Sequence, residues 1–152
     1  MSDDALGKLV QFWETLTPES VATLERVYAD HAYFRDPFNE VTGTPAIRKV
    51  LGHMFETLHD PRFVILESVR EGSGALLVWN FDFRVKAWKP GVTRRIHGAS
   101  HIRFAPDGRV AWHRDYWDAA GELYAMLPVI GPVIRWLGKR MGSENGVRDH
   151  FS

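Results

Sequence analysis

Between residues 62 and 118 the chain reads as four strand-like runs joined by turns too short for any parallel crossover, and this fixes most of what it can become. The runs 62–71, 75–87, 94–104 and 109–118 are rich in Val, Ile, Phe and Trp. Between them stand Glu71-Gly72-Ser73-Gly74, Lys89-Pro90-Gly91 and Pro106-Asp107-Gly108, each suited to a reverse turn. Parallel neighbours need connections of about a dozen residues or more, so the spacing predicts an antiparallel meander. In the second run Trp79, Phe81, Phe83 and Val85 alternate with Asn80, Asp82, Arg84 and Lys86. One face of the sheet is therefore strongly apolar, and helices must cover it.

The first third supplies those helices. Leu6, Leu9, Val10 and Trp13 fall at i, i+3, i+4 and i+7, one face of an amphipathic helix. Thr17-Pro18-Glu19-Ser20 reads as an N-cap followed by proline at the first helical position, opening a second helix with Val21, Leu24 and Tyr28 as its stripe. A short extended piece, 32–35, leads into Asp36-Pro37. Thr44-Pro45 repeats the cap-plus-proline pattern before a third helix that buries Ile47, Leu51, Met54, Phe55 and Leu58. Helices first and a meander after them predict an α+β fold in one domain, since 152 residues bury one core and not two.

The segment Tyr28-Ala29-Asp30-His31-Ala32-Tyr33-Phe34-Arg35-Asp36-Pro37 resembles the YADDATxxDP-type segment of the nuclear transport factor 2-like superfamily. That superfamily includes ketosteroid isomerase and the SnoaL-like polyketide cyclases. The resemblance continues at Gly43 and Ile47, at Arg103-Phe104 with Asp107-Gly108-Arg109-Val110, and at Asp115-Tyr116-Trp117. Element order matches up to about residue 126. The resemblance implies a cone-shaped α+β barrel with an apolar pocket between helices and concave sheet. It says less about chemistry, because one fold hosts many reactions.

On that resemblance Asp36 matches the aspartate that serves ketosteroid isomerase as general base. The isomerase pairs its base with an oxyanion hole made of a tyrosine and a protonated aspartate. Here Phe12 holds the tyrosine's place and Ser100 the second aspartate's. Losing an oxyanion donor costs about 3–4 kcal/mol, so steroid isomerisation itself is not expected. In the last strand His113, Asp115 and Trp117 share a face at i, i+2, i+4, and the resemblance turns that face inward. The pattern alone allows Trp112, Arg114 and Tyr116 as the inward set instead. The expectation is a catalytic group of Asp36 as base, His113 as proton shuttle or oxyanion donor and Asp115 as its orienter. Phe12, Trp79, Phe81, Phe83, Ser100 and Trp117 would line the substrate pocket.

Each of these residues also has a structural reading. An Asp before Pro commonly fixes a turn, and a buried His–Asp pair can simply satisfy itself. His97 and His101 share the face opposite Ser100, but no third ligand accompanies them, so no metal site is expected. No phosphate loop or nucleophile elbow is present, and without cysteine there is no thiol nucleophile. The expected activity is therefore a cofactor-independent isomerase, lyase or cyclase acting on a hydrophobic, carbonyl-bearing small molecule. A non-catalytic binding module or a dimeric interaction protein of the same fold are the alternatives. Lys+Arg and Asp+Glu both number 19, which argues against nucleic acid as a partner. A homodimer is expected by analogy with the superfamily. The acidic start, Met1-Ser2-Asp3-Asp4, predicts a cytoplasmic location. Residues 127–141, with Val133, Ile134, Trp136 and Leu137, read as an amphipathic helix that lies over the pocket mouth or against a second subunit rather than on a membrane.

Overall fold

A computed structural model describes residues 2–122 and Trp136. The chain divides into two units, Met1–Trp117 and Asp118–Ser152. In the second, Ala119–Glu122 form a helical turn, and Trp136 is helical and exposed. The expected C-terminal helix at 127–141, and its role as lid or subunit contact, otherwise lies outside the described residues.

The first unit runs α1 (Ser2–Glu14), α2 (Pro18–Val21), a 3-10 turn (Leu24–Arg26), β1 (Tyr28–Arg35), β2 (Glu40–Thr42), α3 (Thr44–Thr57), β3 (Leu58–Glu71), β4 (Gly74–Val85), β5 (Arg94–Phe104) and β6 (Val110–Trp117). The six strands form one sheet in the order β2-β1-β6-β5-β4-β3, curled but not closed. The meander β3–β6 is antiparallel throughout, as its turns require. β1 instead lies parallel to β6, with Phe34 opposite His113 and Arg35 opposite Arg114. No helix among the described residues is long and apolar enough to cross a membrane.

Three local expectations are corrected. The second helix stops at Val21, and Tyr28, expected on its stripe, opens β1 instead. Thr17 does cap α2: its side chain accepts from the Ser20 amide, and the Ser20 hydroxyl accepts from the Thr17 amide. Four residues of helix are nevertheless too few to outweigh strand pairing at Val27 and beyond, where the Val110 amide bonds the Val27 carbonyl. At α3 the capping position is Gly43 rather than Thr44. Its φ of +96° turns the chain from β2 into the helix while its amide bonds Ala32. Finally, α1 is rotated from the expected stripe: Ala5, Leu9, Phe12 and Trp13 are buried, while Leu6 and Val10 are half-covered.

The inward face of the sheet is a packed cluster of rings. Trp13 and Phe63 meet edge to face at 5.0 Å, Phe63 stacks on Phe81 at 4.3 Å, and Phe81 leans on Phe83 at 4.9 Å. Trp79 lies across Gly98, its directly paired neighbour on β5, and a Cβ there would stand 2.5 Å from the indole. Gly98→Ala is accordingly expected to cost about 1–3 kcal/mol, read as a lower urea midpoint at unchanged slope.

Candidate active site

Five elements contribute to one buried chain of hydrogen bonds. Trp13 Nε1 on α1 donates to the Tyr28 hydroxyl on β1 at 2.9 Å, and that hydroxyl lies 2.8 Å from His113 Nδ1 on β6. His113 Nε2 is 2.6 Å from Asp115 Oδ1. From the other side Trp79 Nε1 on β4 donates to Ser100 Oγ on β5 at 2.8 Å, and Ser100 donates to Asp115 Oδ1 at 2.5 Å. Both ends of the chain are indoles, which can only donate. Burial holds the Tyr28 hydroxyl well above the ordinary tyrosine range, so it keeps its proton. A carboxylate can only accept, so the Asp115 contact puts an imidazole proton on Nε2. In the neutral ring Nδ1 is then the acceptor, and the Tyr28 hydroxyl, which accepts from Trp13, donates to it. Every hydrogen in the chain points towards Asp115 Oδ1, an arrangement in which successive hydrogen bonds reinforce one another. Asp115 Oδ2 takes no hydrogen bond from the described residues and is not sealed in the core.

The space enclosed beside this chain, among Trp13, Phe63, Trp79, Ser100, His113 and Asp115, is about 10 Å³. That is the room of a single water. Among the described residues the interlocking rings thus leave no roomy apolar pocket at this point, and an open, mostly apolar groove of about 430 Å³ lies instead along α1 beside Leu6, Val10 and Ser68. A larger concavity of about 490 Å³ opens where β1 ends at Arg35 while β6 continues to Trp117. Its walls are Arg35, Asp36, Pro37, Arg114, Asp115, Tyr116 and Trp117. It is a polar cleft with an aromatic side, not a greasy hollow.

Asp36 sits one residue past the Arg35–Arg114 pair, and so comes level with Asp115. Its Oδ1 accepts the Phe38 and Asn39 amides, both at 2.7 Å, and the Asn39 side chain spans its two oxygens at 3.1 Å. This is the turn-fixing geometry expected of Asp before Pro. Burial nonetheless lifts its pKa above the ordinary carboxylate value, with the Asp115 charge adding to the rise. The turn amides oppose that shift without cancelling it.

The structure brings Asp36, Asp115 and Trp117 to one cleft, with Phe38 edge-on to Trp117 at 5.4 Å. It settles the facing of β6: His113 is 2% exposed and Tyr116 48%. His113 lies behind Asp115 with both ring nitrogens engaged. Ser100 touches the cleft only through Asp115, and Trp79 through Ser100. Phe12 packs against Trp13 and Tyr28, while Phe81 and Phe83 belong to the ring cluster, away from the cleft walls. His97 bonds Asn80, His101 packs on Trp112, and no group of three metal-ligating side chains occurs among the described residues. Sequence reasoning missed Trp13 and Tyr28 as polar participants; the available signal was that buried Trp and Tyr need partners for their N–H and O–H.

A family model for the SnoaL-like domain matches residues 9–113. No curated protein matches the chain. Solved structures share its fold. A Catenulispora acidiphila protein with a ketosteroid isomerase-like fold, in complex with trimethylamine, is 14% identical over 81% of this chain and 92% of its own, with a TM-score of 0.67. A candidate SnoaL-like polyketide cyclase from Shewanella putrefaciens is 21% identical over 79% and 96%, with a TM-score of 0.65. An M. tuberculosis LEH-like epoxide hydrolase is 14% identical over 92% and 95%, with a TM-score of 0.63.

Proposed function

Since the chain belongs to the SnoaL-like domain family, we propose that its polar cleft carries out cofactor-independent proton transfer on a small carbonyl-bearing molecule, as an isomerase, lyase or cyclase. The observation that carries this reading is the pairing of Asp36 with Asp115 on one cleft, in opposite surroundings. Asp36 is lifted by burial above the ordinary carboxylate value, the direction that suits a general acid–base group. Asp115 is the point where two hydrogen-bond chains converge, which fixes its carboxyl group and leaves Oδ2 to face the cleft. In this reading Asp36 moves the proton between substrate carbon and oxygen, Asp115 Oδ2 accepts a substrate hydrogen bond, and His113 and Ser100 orient Asp115. Trp117 supplies the apolar wall.

The turn contacts of Asp36 favour a second reading, a cleft that binds without turnover. One experiment separates the two: exchange of α-protons for deuterium in ring ketones such as indanone and tetralone, followed by NMR. Under the first reading the protein accelerates exchange and the Asp36→Asn variant does not. Equal rates with and without protein leave only binding. A homodimer is the accompanying expectation, supported by the exposed cross-strand pair Val69 and Leu76 at the β3–β4 side of the sheet. Sedimentation equilibrium would read a single monomer mass if no dimer forms.

A further inference from the structure

Arg35 and Arg114 stand directly opposite each other on the parallel β1–β6 pair, and both line the cleft. Like charges at directly opposed positions repel, and a sheet normally avoids them. Arg48, Arg84, Arg95 and Arg109 each reach a carboxylate, whereas Arg35 and Arg114 form no ion pair among the described residues. The Arg114 guanidinium lies over the Tyr116 ring at 4.6 Å. Stacking on a ring leaves the in-plane N–H groups free to bind a planar anion. On the flanking strands His101 stands directly opposite Arg114 and Glu40 directly opposite Arg35, but Glu40 accepts from the Tyr33 hydroxyl and forms no ion pair with Arg35.

We propose that Arg35 and Arg114 bind the anionic end of the substrate, a carboxylate, while its ring-bearing body lies along Tyr116 and Trp117. The inference rests on the proton-transfer reading for the word substrate, and on geometry alone for the anion. It also gives the bound molecule a direction. A carboxylate beside Asp115 would be repelled, so the charged end occupies the arginine side of the cleft and the remainder faces Asp36 and Asp115.

The test is calorimetric binding of naphthoate, neutral naphthamide and inorganic phosphate to the full chain. Naphthoate should bind about tenfold tighter than naphthamide, the worth of a charge-assisted contact, and the preference should shrink as salt is raised. Arg35→Gln and Arg114→Gln should each remove most of that preference while leaving naphthamide binding and the circular dichroism spectrum unchanged. Equal binding of naphthoate and naphthamide by the unmodified chain, or a preference that survives both substitutions, overturns the proposal. Phosphate binding as tightly as naphthoate overturns its ring-bearing part. Asp36→Asn keeps the anion preference under this proposal. A chain that prefers naphthoate yet exchanges no α-protons therefore disproves the proton-transfer reading alone.

Discussion

Replacing Asp36 with asparagine is expected to slow α-proton exchange by about 10²–10⁴-fold, the usual worth of a general acid–base group. Of the turn contacts, the substitution removes only the Asn39 side-chain bond to Oδ2. The amide oxygen of the new side chain still accepts the Phe38 and Asn39 backbone amides that Asp36 Oδ1 accepts now. What it cannot do is take up and release a proton. The pH dependence adds a second check. Burial lifts Asp36, so the acid limb of the exchange rate should lie above about 3.9, the ordinary aspartate value, and vanish in the variant. Stability should follow the opposite course from that of a salt-bridged aspartate. With its folded pKa raised, Asp36 favours the fold most below its unfolded pKa. That contribution is lost as pH rises through the folded value. The stability of the unmodified chain relative to Asp36→Asn should therefore decline across that window. Full-speed exchange by the Asp36→Asn variant would reduce Asp36 to a turn residue.

His113→Ala is expected to destabilise the protein by about 3–5 kcal/mol, near the upper end for a single substitution. His113 is 2% exposed, and its ring touches Tyr28, Phe34 and Trp13, so truncation opens a cavity where aromatic rings now meet. It also strands two polar groups. The Tyr28 hydroxyl, itself fully buried, loses the acceptor for its proton, and Asp115 loses one of the two donors on Oδ1. An unmade buried hydrogen bond costs more than a made one contributes. Urea unfolding measures the loss directly, with the slope confirming that the same surface is exposed. A change under about 1 kcal/mol would mean that water replaces the imidazole without penalty, and that the chain of bonds is incidental.

The meander was legible because two local signals agreed: strict alternation from Trp79 to Lys86 and Gly- or Pro-bearing turns on either side of each run. Asp36 and Asp115 were legible as a pair only through the resemblance, since 79 residues of sequence say nothing about two strands lying level. The parallel partner of β6 was hidden by Tyr28, whose spacing from Val21 and Leu24 imitates a helical stripe. What decided its fate was pairing with a strand far along the chain, a tertiary term absent from any local window. The filling of the interior was equally invisible. Alternation shows that Trp79, Phe81 and Phe83 face inward, but whether rings on one side leave a hollow depends on which rings meet them from Trp13 and Phe63.

The parallel register of β1 with β6 carries a consequence for how this protein comes into being. Tyr28 and His113 are separated by 85 positions, and Phe34 pairs with His113 over nearly the same span. Loops of that length close slowly and late in a folding reaction. During synthesis the amino-terminal third must wait for the last strand to emerge from the ribosome before the indole, phenol and imidazole can join. Any nascent fragment that ends before residue 113 therefore holds Trp13, Tyr28, Trp79 and Ser100 but neither the imidazole nor the carboxyl group that joins them.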